Sequence, residues 1–223
     1  MDLDRVLVIA PHPDDDILGV GGFLKKLSNS GSEILVLTVS GHLPPLYKKE
    51  DFNITLKEAK RAHELVGVSN SEYWEIPATK IADMPISEFN GKFDRVMKDF
   101  KPSLVLCPYP DRHIDHRLVF KAAMVATRPV GVGNNIKLLA AYETLSETHW
   151  NAPHIECNFV PTWVVDITQT IEDKKKALAC FESQITPFPG PRSIEAVDAL
   201  AKFRGTQAGF AYGEGLQIIR MVS

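Results

Sequence analysis

The residues best suited to chemistry fall in two short groups, His12-Pro-Asp14-Asp15-Asp16 and Asp111-Arg112-His113-Ile-Asp115-His116. An imidazole and a carboxylate are typical ligands of a catalytic Zn²⁺, which takes three protein ligands and keeps one position open for water. The first group can supply two of these. The third must come from elsewhere, and His113 and His116, three residues apart, are both candidates. If a helix begins near Asp115, the two imidazoles need not be equivalent: one could coordinate while the other faces substrate. The blander readings make His12 a turn residue beside prolines and the Asp run a helix cap. Two independent His/Asp groups weigh toward the metal site.

Each group follows a short apolar run. Residues 5–10 and 103–107 are rich in Val, Leu and Ile and are closed by proline, which reads as buried strands of a parallel sheet. In open α/β sheets, ligands bind just beyond the carboxyl ends of the strands, so both groups arrive where such a fold does its chemistry. Further strands are expected over 33–39, 72–76, 137–142, 162–167 and 216–222. Helices are expected over 17–29, 55–66, 86–100, from about 118 to before Pro129, 168–184 and 193–208. Ala59, Ala62, Leu65 and Val66 should face inward, as should Leu118, Val119, Ala122, Ala123 and Val125. The alternation predicts an α/β fold: a Rossmann-like, mostly parallel sheet with helices on both faces and the active site at the carboxyl ends of the strands. The loops at 41–52, 77–85 and 144–158 are where specificity should lie.

Bulk properties narrow the class. A chain of 223 residues, 44% hydrophobic and 24% charged, matches one ordinary globular domain over 1–223. The net charge is −3 and no basic stripe is present, which argues against a nucleic-acid partner. Three cysteines without CxxC spacing indicate neither a disulfide framework nor a thiolate zinc site. No signal-like start and no membrane-length apolar run appear, so a soluble cytoplasmic protein is expected, as a monomer or a homo-oligomer. Gly19-x-Gly21-Gly22 lacks the G-x-G-x-x-G spacing and follows three carboxylates that would repel a pyrophosphate. Close packing of a helix on the sheet suits it better.

The stretch Ala10-Pro-His12-Pro-Asp14-Asp15-Asp16-x-x-Gly-x-Gly-Gly22, together with His113-Ile-Asp-His116, is similar to the PIG-L (LmbE-like) family of zinc-dependent N-acetylglucosaminyl deacetylases. Tyr142-Glu-Thr-Leu-Ser146, Arg204-Gly205 and Tyr212-x-Glu214 also resemble family segments. The resemblance implies that His12, Asp15 and His116 bind the metal, Zn²⁺ or the similarly ligated Fe²⁺. It implies Asp14 as general base and His113 as the group that stabilises the tetrahedral oxyanion, with a protonated ring offering charge there. The implied substrate is an N-acetylated amino sugar or glycoconjugate. The alternatives are a hydrolase of a non-sugar amide or phosphoester, and a non-catalytic module binding a sugar or nucleotide.

Two positions depart from the pattern. Asp16 stands where Glu is usual, as a helix-start residue or a partner of a ligand. Thr55 stands where several relatives carry an Arg that grips the sugar, a role that Asp111 and Arg112 could assume if they are not surface turn residues. Asp115 either orients one of the two histidines beside it or caps a helix. His42 is expected as an exposed loop residue. His149, Trp150 and His154, with Tyr109 and Tyr142, form either a substrate lid or loop packing, and Cys107 belongs to the core.

Overall fold

The computed structural model describes residues 3–222; Met1, Asp2 and Ser223, the ends of the expected 1–223 domain, lie outside the described residues. The strands are β1 (Arg5–Ala10), β2 (Glu33–Gly41), β3 (Asn70–Pro77), β4 (Leu104–Pro108), β5 (Leu138–Tyr142), β6 (Trp163–Asp166) and β7 (Gly213–Met221). The helices are α1 (Asp15–Asn29), α2 (Lys49–Val66), α3 (Ile86–Phe100), α4 (Ile114–Ala126), α5 (Ile171–Ala179) and α6 (Ile194–Thr206). The sheet runs β3-β2-β1-β4-β5-β7-β6. Its first five strands are parallel, and β7 is antiparallel to both of its neighbours.

A parallel strand covered on both faces must be apolar on both, and β1 shows the division of labour. Val6 and Val8 pack with Leu24 of α1, Ala62 of α2 and Leu178 of α5. Leu7 and Ile9 point to the opposite face, among Phe93 of α3 and Val119 of α4. The expected α/β architecture, with a mostly parallel sheet between two helical layers, is what forms. No helix among the described residues is long and apolar enough to cross a membrane.

Several boundaries differ from expectation for local reasons. Helix α2 starts at Lys49 rather than 55, because the Asp51 carboxylate accepts the Lys48 backbone N–H at 3.0 Å and closes a capping turn inside a charged stretch. Leu65 and Val125 face solvent. The buried stripes are set by Ala59, Ala62 and Val66 in α2, and by Val119, Ala122 and Ala123 in α4. Helix α5 stops at Ala179, and the chain continues to 184 in turns.

Helix α1 breaks at Val20 (φ −136°, ψ 16°). Glu214 of β7 accepts the freed N–H groups of Gly22 and Phe23 at 2.9 and 2.7 Å. Lys174 of α5 donates to the Leu18 carbonyl at 2.8 Å and pairs with Glu214 at 2.6 Å. The break therefore leaves no backbone group wanting at these points. It also sets the first turns of α1 close on the end of β5. A Cβ on Gly19 would stand 2.3 Å from Cδ2 of Tyr142, whose ring is fully buried with its hydroxyl on the Ile9 carbonyl. We expect Gly19→Ala to cost about 1–3 kcal/mol in urea unfolding, because the Tyr142 ring cannot move without losing that hydrogen bond.

Candidate active site

Strands β1 and β4 are sheet neighbours whose chains leave toward opposite sides, β1 to β2 and β4 to β5. This is the topological switch point where open α/β sheets form their crevice. His12 lies in the turn from β1 to α1, and β2 holds that turn through Ser40, whose N–H and hydroxyl both donate to the Pro11 carbonyl. His113 caps α4, and Asp115 and His116 occupy its first turn.

The site is built from imidazoles backed by carboxylates. His12 Nε2 lies 3.1 Å from Asp115 Oδ2, which also accepts the Thr79 N–H at 2.8 Å. His116 Nδ1 lies 3.0 Å from Asp111 Oδ2, which also accepts the Thr148 hydroxyl at 2.9 Å. With one nitrogen of each ring donating to these carboxylates, the opposite nitrogens point inward. His12 Nδ1 and His116 Nε2 then stand 3.1 and 3.2 Å from the same oxygen, Asp15 Oδ2. His116 Nε2 and Asp15 Oδ1 are buried with no hydrogen-bond partner. Buried polar atoms left without a hydrogen bond beside carboxylate-backed rings suit a site that takes up a metal ion. The ligand atoms of His12, His113 and His116 also lie within 4.8 Å of one another, so that trio could hold a metal ion.

Electrostatics follow from the same packing. Burial opposes a charge on His12, but its hydrogen bonds to Asp115 and Asp15 outweigh that and carry its pKa up to about 9. For His116, burial is likewise overcome by the Asp15 charge and the Asp111 hydrogen bond, to about 10. Burial would raise Asp15, yet the charge of His116 and the contacts with both rings hold it well below the ordinary carboxylate range. His113 goes the other way. Burial and the neighbouring His12 and His116 charges push it down to about 4. Its Nδ1 accepts the Asp115 N–H at 3.1 Å, so the neutral ring carries its proton on Nε2. The expected protonated ring gives way to a neutral donor.

The remaining expected site residues have these partners. Asp111 is fully buried against His116, and Arg112 lies 3.0 Å from Glu147 and over the Trp150 ring. Asp16 does not cap α1. Its Oδ2 meets His63 Nε2 at 3.0 Å, and His63 Nδ1 meets the Ser71 hydroxyl. Tyr142 is core, and Tyr109 donates to the Cys157 carbonyl, so neither forms a lid. His149 pairs with Glu143, itself held by two hydrogen bonds from Arg204, and His154 is exposed. Thr55 is buried and donates to carbonyls of its own helix. His42 is half-buried rather than exposed.

A cavity of about 190 Å³ opens over the site, lined by His12, Asp14, His42, Thr79, His113 and Glu147 among others. Arg192 lines it as well, and its Nε donates to Asp14 Oδ2 at 2.6 Å. Three of the lining segments are the loops expected to carry specificity. Arg192 was not anticipated: it follows Pro187–Gly190–Pro191 as an isolated cation, with no spacing to mark it.

Residues 7–127 match the family model PIG-L, described as GlcNAc-PI de-N-acetylase. The chain is 29% identical to diacetylchitobiose deacetylase of Thermococcus kodakarensis, over 98% of this chain and 84% of that one. Among solved structures, N,N'-diacetylchitobiose deacetylase from Pyrococcus horikoshii is 26% identical with a TM-score of 0.77, covering 98% of this chain and 84% of that one. The conserved protein TT1542 from Thermus thermophilus is 27% identical with a TM-score of 0.80, covering 100% of this chain and 97% of that one.

The raised imidazoles have a definite pH signature. In metal-free protein their stabilising contribution is complete below the ordinary value of 6.5 and is lost as pH rises through about 9 and 10. Chelator-treated protein should therefore show a falling Tm over that window. Calorimetry in buffers of different ionisation enthalpy should detect about two protons released per metal bound near neutral pH. A flat Tm and no proton release would count against the assigned pairing.

Proposed function

The chain belongs to the PIG-L family of deacetylases, and on that premise we propose that it hydrolyses the N-acetyl group of an N-acetylglucosamine-type sugar or sugar conjugate. Water and the amide yield acetate and a free amine, and we assign the work to one domain spanning 1–223. The observation that carries the reading is the convergence of His12 Nδ1 and His116 Nε2 on Asp15, each ring backed by its own carboxylate.

In this reading His12, Asp15 and His116 hold the metal, Zn²⁺ or Fe²⁺. Bound there, a divalent cation acidifies a water and polarises an acyl oxygen. Asp115 and Asp111 keep the far nitrogens of His12 and His116 protonated, which fixes the tautomers that present lone pairs inward. His113 differs because its Nδ1 is spent on the Asp115 N–H. Its Nε2 therefore has a proton to give and no lone pair, which favours hydrogen bonding to the developing oxyanion over coordination.

Asp14 borders the same cavity and is adjacent to a ligand without being one. With Oδ2 held by Arg192, its carboxylate is fixed in orientation to take a proton from the attacking water and return it to the leaving nitrogen. The sugar-directed names of the relatives support an amino-sugar substrate over a simple amide. The carboxylates in the cavity wall suit hydroxyl-bearing ligands as well.

Acetate release from N-acetylglucosamine and its β-linked dimer tests the reading. Asp14→Asn should lower kcat by at least about 100-fold while leaving metal content intact. His12→Ala and His116→Ala should lose metal in elemental analysis. Wild-type turnover by Asp14→Asn, or full metal stoichiometry in both histidine variants, would overturn these roles.

A further inference from the structure

Most polar groups around the catalytic cavity already have a partner within the protein. His12 is held between Asp15 and Asp115, Asp14 Oδ2 is taken by Arg192, and His113 Nδ1 accepts a backbone N–H. Gln184 donates to the Ser183 hydroxyl. Two lining side chains have a buried polar atom without a partner, Nδ1 of His42 and Oε2 of Glu147, and of these two only Glu147 is a carboxylate. It is 8% exposed, it lines the cavity beside His113 and Arg192, and its Oε2 is buried without a hydrogen-bond partner. Arg112 Nε stands 3.0 Å from that oxygen, off the line of a hydrogen bond.

A buried carboxylate oxygen lacking a donor is costly; the Arg112 charge offsets part of that cost but leaves the hydrogen bond unmade, so a donor from water or a ligand is favoured there. The segment that bears Glu147 is well fixed. Its N–H donates to the Thr144 carbonyl at 2.9 Å, and its carbonyl accepts the Trp150 N–H at 3.2 Å. Glu147 follows β5, so it approaches the cavity from a third strand end, apart from those that carry His12 and His113. A carboxylate accepts hydrogen bonds and gives none when ionised, so it reads O–H and N–H donors and disfavours anions.

We propose that Glu147 is the hydroxyl-reading residue of this site, its open carboxylate accepting hydrogen bonds from ring hydroxyls of the amino sugar while Arg112 orients it. The assignment rests on the deacetylase reading for its substrate class. It makes Glu147 a specificity residue with no part in the proton transfers.

The test compares metal-loaded wild type with Glu147→Gln on N-acetylglucosamine and its 3-, 4- and 6-deoxy analogues. Two readouts are taken: kcat/KM for acetate release, and Kd for the corresponding free amines by calorimetry. Wild type should lose roughly 10- to 100-fold on at least one deoxy analogue, the scale of a hydrogen bond to a charged group. Glu147→Gln should lose a similar factor on the parent sugar, and removing the same hydroxyl should then cost no more than about twofold. A full deoxy penalty in Glu147→Gln, or an unchanged parent Kd and kcat/KM, overturns the proposal. Should Glu147→Gln fail to fold, Arg112→Met keeps the carboxylate but removes its orienting partner. A reduced deoxy penalty there supports the proposal and an undiminished one overturns it. If wild type releases acetate from none of the four sugars, the deacetylase reading fails, and the Kd series still decides the role of Glu147.

Discussion

One buried oxygen, Oδ2 of Asp15, orders the site. It accepts the His12 backbone N–H at 2.9 Å and has an imidazole nitrogen on either side of it, one from the turn after β1 and one from the first turn of α4. A buried carboxylate must be compensated by charge or by donors, and here the compensation comes from segments about a hundred residues apart in sequence. The sheet makes that meeting possible because β1 and β4 lie side by side in parallel register. Their carboxyl ends are therefore level, and their two turns face one crevice.

The carboxylates outside that first contact do as much to define the chemistry as the imidazoles do. Asp115 and Asp111 decide which nitrogen of each ring carries a proton and which faces inward. The backbone of Asp115 settles the third ring by donating to His113 Nδ1. Three histidines within a few ångströms thus acquire two distinct behaviours: a pair that favours positive charge and a single ring that resists it.

The strand runs and both polar groups were legible in the sequence because each rests on local signals. Five apolar residues ahead of a proline mark a buried strand, and clustered His and Asp mark a strand end with chemistry. What was not legible depends on tertiary partners. Asp16 and Asp111 look alike as acidic turn residues, yet one is taken by His63 and the other by His116, and no spacing announces either pairing. Tyr142 opens a family-like segment but is buried in the core, where its ring fills the room left by the missing side chain of Gly19. Arg192 and Glu147 reach the cavity from irregular segments, where periodicity carries no information. The early start of α2 was hidden in a charged stretch whose capping geometry only the folded chain reveals.

The break in α1 bears on the order in which the protein can become functional. The turns that carry Asp14, Asp15 and Asp16 are joined to the remainder of their helix through Val20, and Glu214, 192 residues beyond Gly22, ties down the N–H groups released there. The Asp14–Asp16 turns thus lack one of their anchors until β7 is in place. The shape of the turn at the end of β1 therefore depends on β7, a strand far along the sequence that lies between β5 and β6 on the other side of the sheet's centre.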